Sequence, residues 1–181
     1  MAARYGSEAE RALVAHYRDA DEDTVQLGSD WYGEARAIAR NMASNTGRTL
    51  STCAGVLAAV SPRLRWGSNI KVAGALVRGE PVQGVFAANL RKAQRILNGE
   101  RPLDVLGGDK VRAFYRAIMG DPNAVVLDVW MMRAAGWTKA TLTTKEYESL
   151  AEALVADAPR EGIDPADFQA VVWTHVRGSG E

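Results

Sequence analysis

Cysteine is almost absent from this chain, and histidine and long apolar runs are scarce. The 181 residues hold one cysteine, Cys53, and two histidines. One thiol excludes an intramolecular disulfide and the four thiolates of an iron–sulfur cluster. His16 and His175 have no metal-ligand spacing to anything, which argues against a structural zinc site. Cys53 therefore reads as a small core residue. No stretch approaches the roughly 18 uninterrupted apolar residues of a membrane span. The opening Met1-Ala2-Ala3-Arg4-Tyr5-Gly6-Ser7 lacks the apolar segment of a secretory signal. Strand-like alternation, internal repeats and low-complexity segments are missing as well. The expectation is a soluble, intracellular, cytoplasmic chain with no membrane partner and no metal.

A hydrophobic fraction of 47% over this length supports one all-α domain spanning 1–181, with room for two lobes. Ser7 with Glu10 has the pattern of a capping box ahead of a first helix. Asp30 is placed to cap a second from Trp31 to about Asn45, stopped by Gly47. Thr49 to Val60 is apolar almost all round, which predicts a central buried helix, ended by Ser61-Pro62. A loop over Arg63–Gly67 is then expected, followed by helices from Ser68 to Val77 and from Phe86 to Leu97. The segment 102–119 reads as two helical pieces joined by Gly107-Gly108, and Ala124–Leu127 as buried loop. Further helices are predicted over Asp128–Ala135, Thr144–Ala156 and, after Asp164-Pro165, Ala166–Val176. The tail from Gly178 is expected to fray.

The formal net charge of zero conceals an uneven distribution. Residues 63–112 hold ten Lys or Arg against four acids, whereas 144–181 hold eight acids against three basic residues. Such asymmetry suits a phosphate-binding face with an acidic far side, although charge blocks are also what solvated helix faces give. Within the basic block, the Gly107-Gly108 turn immediately precedes a helix. Its backbone N–H groups can point outward together and cradle a phosphate. Lys110 opens that helix and Asp128 opens a later one, eighteen residues on.

The glycine turn, Lys110, Asp128 and Arg133 stand at the spacing of the helix-hairpin-helix DNA glycosylases, the HhH-GPD superfamily, and the chain resembles them over about residues 49–135. Upstream, Leu57-Ala58-Ala59-Val60-Ser61-Pro62-Arg63 is similar to that family's apolar helix ending in a serine-bearing loop. The resemblance implies a two-lobed, base-flipping DNA-binding enzyme, a monomer acting on a modified or damaged base. Asp128 would stabilise the cation that builds on the deoxyribose or activate water. Lys110 would attack the sugar carbon or hold a phosphate, the second being favoured. Gly107, Gly108, Arg63, Arg65, Trp66, Arg112 and Arg133 would contact DNA. Trp66 is a candidate for base stacking or for pinning its loop, and Arg63 or Leu64 for the wedge that fills the gap left by a flipped base. No cofactor is implied beyond room for a monovalent cation at the hairpin.

Two departures stand out. Trp130 occupies the place where the family commonly has histidine, and the hairpin glycines are adjacent rather than bracketing one residue. They bring in a second reading, the phage enzymes that hypermodify thymidine, which resemble glycosylases but transfer a group to the base. That reading would place the chain in a bacterial or phage-infected cell. A third is a DNA-binding helix-hairpin-helix module without chemistry. Gln169, Trp173 and Arg177 share one helix face, for which packing is the simplest explanation.

Overall fold

The computed structural model describes residues 7–139 and 141–178, and among them every regular element is helical. The helices are α1 (Glu8–Asp19), α2 (Glu22–Thr46), α3 (Leu50–Val60), α4 (Trp66–Val77), α5 (Ala87–Leu97), α6 (Pro102–Val105), α7 (Asp109–Ile118), α8 (Val129–Ala134), α9 (Thr144–Asp157) and α10 (Pro165–Arg177), with a 3-10 turn at Ala158–Glu161. None is long and apolar enough to cross a membrane. The described chain divides into two compact units, one of residues 33–120 and the other of the flanking segments 7–32 and 121–178.

In the flanking unit, Ser7 caps α1 through a complete capping box, since Ser7 Oγ accepts from Glu10 N–H while the Glu10 carboxylate accepts from Ser7 N–H. Tyr17 of α1 stacks on Phe168 of α10 with ring centroids 4.9 Å apart. Arg18 clasps Glu161 through two hydrogen bonds of 2.7 and 3.1 Å. The second helix departs from expectation by starting at Glu22, capped by Asp21, whose Oδ1 accepts from Thr24 N–H. Asp30 lies inside α2 and accepts from the Gln26 side chain one turn back. The Gly28-Ser29-Asp30 sequence reads as a helix start, yet Gly28 serves close packing. A Cβ there would lie 2.6 Å from the backbone nitrogen of Val171 on α10.

The central unit is built around α3, whose residues Cys53 to Val60 are all buried. Helices α4, α5, α6 and α7 all pack on it. Thr49 caps α3, and at Gly55 a Cβ would meet Pro102 Cγ of α6 at 2.7 Å. After Ser61-Pro62 the chain turns through Arg63, the one non-glycine residue with positive φ, 66°, among those described. Leu64 N–H closes that turn on Ser61 O. The fourth helix begins at Trp66, not at Ser68, so Trp66 is helical rather than a loop residue.

Arg48 joins the ends of two helices: its Nε donates to Val77 O (2.8 Å) at the end of α4 and its Nη1 to Leu97 O (3.3 Å) at the end of α5. At the other end, the Arg63 guanidinium, just ahead of α4, lies 5.3 Å from the ring centroid of Phe86, the N-cap of α5. Helices α4 and α5 therefore run in the same direction and open their N-termini at the same end of the unit.

Candidate functional site

The expected hairpin is α6, Leu106-Gly107-Gly108 and α7. Gly108 takes φ 82° and ψ 139°, a conformation that L side chains rarely adopt, and as N-cap it offers no side chain to the first N–H groups of α7. Those groups and the positive end of the helix dipole are available to an anion. Lys92 of α5 reaches the turn from the side, its Nζ 3.6 Å from where a Gly107 Cβ would stand. Lys110 and Arg112, second and fourth residues of α7, are exposed.

The same lack of a side-chain cap recurs at α4, whose N-cap is Arg65, and at α5, whose N-cap is Phe86. Trp66 is half-buried, packed on the core and edge-on to Phe114 of α7 at 6.1 Å, which fits the pinning role better than a free stacking surface. Asn69, in the first turn of α4, is 2% exposed and its Oδ1 has no hydrogen-bond partner. A groove of about 480 Å³ lies between the second half of α2 and α4, floored by Ile38, Met42, Ile70 and Val77. It contains none of the residues singled out from the sequence.

In the flanking unit Asp128 is the N-cap of α8. Its Oδ1 accepts from the backbone N–H groups of Trp130 (2.9 Å) and Met131 (3.0 Å), and its Oδ2 from the indole N–H of Trp173 on α10 (3.0 Å). Three donors fix a half-buried carboxylate that has about four lone-pair directions to offer. The loop before it, Ala124–Leu127, is buried as expected and held by Tyr147 of α9, whose hydroxyl accepts from Leu127 N–H and donates to Val125 O. Trp31 packs against Trp173 at 5.1 Å, and the guanidinium of Arg177 lies over the Trp173 ring at 4.6 Å. Arg133 lies over Trp130 at 4.7 Å. Beside this cluster the buried Tyr32 donates to Gln169 Oε1 at 2.7 Å. Its hydroxyl pKa is raised well above the ordinary 10 by burial first, and then by the negative charges of Tyr147, Asp128 and Asp167. Gln169, Trp173 and Arg177 thus do form one face, a packed one in which each side chain has a named partner.

Full-length similarity places the chain in a group. The profile of a family of unknown function, DUF7178, matches residues 2–180. The chain belongs to that family. No curated protein and no solved structure matches it. Membership of DUF7178 carries no reaction or ligand with it, so the site rests on its own geometry.

That geometry gathers Gly107, Gly108, Lys110 and Arg112 at the hairpin, with Arg63, Arg65 and Trp66 at the α3–α4 connection of the same unit. Asp128 and Arg133 belong to the flanking unit, so Lys110 and Asp128 fall in different units. His16 and His175 approach to 5.6 Å between ring centroids, closer than their separation in sequence suggests. No group of three or more His, Cys, Asp or Glu among the described residues could hold a metal. Cys53 is buried, and burial pushes its thiol above the usual range, as expected of a core residue. Sequence reasoning missed Lys92 and Phe86. The basic run Arg91-Lys92 was the available sign of the first; an aromatic opening an amphipathic helix ordinarily reads as core, which hid the second.

Proposed function

We propose that this protein is a DNA-binding enzyme of the glycosylase type, gripping a phosphate backbone through the Gly107-Gly108 hairpin and acting on a base through Asp128. The observation that carries the grip is the α7 N-terminus: an uncapped helix end behind a positive-φ glycine, with the Lys92 ammonium beside it and Lys110 and Arg112 exposed on its first turns. Backbone N–H groups and a helix dipole bind phosphate without reading sequence, which is the role of backbone contacts in DNA recognition. In this reading Lys110 is a phosphate ligand. Asp128 supports the chemical half because its carboxylate is fixed by three N–H donors and keeps about one lone-pair direction free for electrostatic stabilisation of a sugar cation.

That occupancy favours a second reading too. A carboxylate so engaged serves α8 as a cap and Trp173 as an acceptor, as it would in a DNA-binding module without chemistry. Abasic-site formation, assayed on duplexes carrying modified pyrimidines with wild type and Asp128→Asn, separates the two. Turnover lost in Asp128→Asn with DNA affinity intact supports the enzyme; tight binding with no turnover on any base selects the module. A base altered with its glycosidic bond intact selects a group transferase. If a fluorescent duplex shows no salt-sensitive binding between about 50 and 200 mM salt, the phosphate grip itself is wrong.

A further inference from the structure

Phe86 breaks two local rules at once. It occupies the N-cap of α5, where Ser, Thr, Asp or Asn would satisfy an N–H and an aromatic satisfies none. It is also 54% exposed, the most exposed of the large hydrophobic side chains in the described chain. Exposure forgoes much of the stabilisation that burying a phenylalanine contributes. Arg63, whose guanidinium lies over that ring, breaks a third. It holds φ at 66° where glycine or asparagine is usual, a conformation that strains an L residue. Neither residue has an ion pair or a packed core contact that repays these costs, and side chains that violate local rules without structural return are expected at functional positions.

We propose that Phe86, with Arg63 over its ring, is a stacking platform for an unpaired nucleobase of a DNA strand. With the guanidinium over one face of the ring, the opposite face of this exposed side chain suits a flat ring joined to a phosphate, and such platforms tolerate any base because every base has a π face. The surroundings carry the complementary charge. Arg65 is exposed two residues after Arg63, and Lys92 stands six residues into α5, about 9 Å along the helix from Phe86 and beside the hairpin turn. The platform and the hairpin thus lie within a few nucleotides of each other along one strand. This inference rests on the DNA reading above, to which it adds the part of the ligand that is recognised: a base out of its pair, not the duplex alone.

The test uses the full chain and two fluorescent duplexes of identical length, one fully paired and one with a single-nucleotide bulge. Wild type should prefer the bulged duplex. Phe86→Ala should lose roughly five- to a hundredfold on it, matching the contribution of one base–aromatic stack, and little on the paired one. Phe86→Trp should restore the preference and show quenched indole fluorescence on bulged DNA alone. Arg63→Gly, which relieves the positive φ and removes the cation, should keep the fold and weaken only the bulged complex. Equal affinity of Phe86→Ala and wild type for the bulge overturns the platform while leaving the hairpin grip standing, since the paired duplex still binds. If wild type binds neither duplex, the DNA reading falls and the platform with it. Self-association of wild type that Phe86→Ala abolishes, with DNA affinity unchanged, would assign the patch to a second copy of the chain.

Discussion

The two units treat the beginnings of their helices in opposite ways. In the flanking unit Ser7, Asp21, Asp128 and Thr143 each accept hydrogen bonds from the first turn of the helix they precede. At α10, Pro165 removes one N–H and Pro122 O accepts the N–H of Ala166. In the central unit only α3 is capped by a side chain, and the longer helices α4, α5 and α7 begin at Arg65, Phe86 and Gly108. Charge follows the same division. Residues 33–120 hold 14 Lys or Arg against 5 Asp or Glu, a net of +9, and the rest of the chain 8 against 17, a net of −9. A helix start left without an internal acceptor, in a positively charged surround, is stabilised by an external anion; one satisfied internally, in a negative surround, repels it. The neutral total is the sum of two strongly charged halves.

The largest expected effect is on DNA affinity. Replacing Lys92, Lys110 and Arg112 by glutamine should weaken binding at low salt roughly a hundredfold, uniformly across sequences, and reduce the salt slope by about three contacts. Changes of the same kind in the flanking unit, Arg11→Gln and Lys145→Gln, should leave affinity within about twofold. Anisotropy titrations at several salt concentrations check both arms, and similar losses from either set would erase the contrast between the units.

Stability should respond most at the caps that exist. Asp128→Ala removes the carboxylate that accepts from two backbone N–H groups and from the Trp173 indole, and should lower unfolding free energy by about 2–4 kcal/mol in a denaturant titration. Asp128→Asn keeps an acceptor for the helix but turns its amide against a second donor, so about half that loss is expected. A loss below half a kcal/mol for the alanine would show that the cap matters little.

The reverse experiment adds a cap where there is none. Arg65 already has the extended backbone of an N-cap, φ −67° and ψ 151°. Arg65→Asp should therefore stabilise the chain by about 1 kcal/mol while weakening DNA binding, a gain and a loss from one substitution. If both rise or both fall, the uncapped start is not reserved for an anion.

The smallest effect is electrostatic and lies within the acidic unit. Burial first, and then the neighbouring Asp164 and Asp30, raise the Asp167 carboxyl above its ordinary range. A carboxyl whose folded pKa lies above its unfolded value disfavours folding when ionised, so this destabilisation is present at neutral pH and is relieved as pH falls through the raised value. Asp167→Asn should thus stabilise slightly at pH 7 and have no effect near pH 3. Glu146 runs the other way. Hydrogen bonds from Lys139 and then from Thr143 lower it to about 2, so its contribution holds above the ordinary glutamate value near 4.3 and is lost as pH falls toward 2.

Local chemistry explains which of these features can be read without a structure. The Ser7–Glu10 box, the stop at Gly47, the buried length of α3, the capping of α8 by Asp128 and the Asp164-Pro165 start all depend on residues within a few positions of each other. The beginning of α2 does not, because Gly28 and Asp30 imitate a break and only the approach of Val171 shows why a glycine sits mid-helix. The bond from Trp173 to Asp128 spans 45 residues, and the contact of Lys92 with the hairpin joins two helices, so neither leaves a periodic trace. Phe86 was missed for a different reason: composition cannot tell an exposed aromatic from a buried one.

Arg48 gives the central unit a mechanical property. Its one guanidinium pins the last turns of both α4 and α5, and these helices, of 12 and 11 residues, extend about 16–18 Å from the pin. They are two rods tied together at one end. A tilt of about 5° at Arg48 would move the far ends by about 1.5 Å, half the length of a hydrogen bond. A substitution at Arg48, at the opposite end of the unit, would therefore be felt in the separation between Arg65 and Phe86 without touching whatever those tips hold.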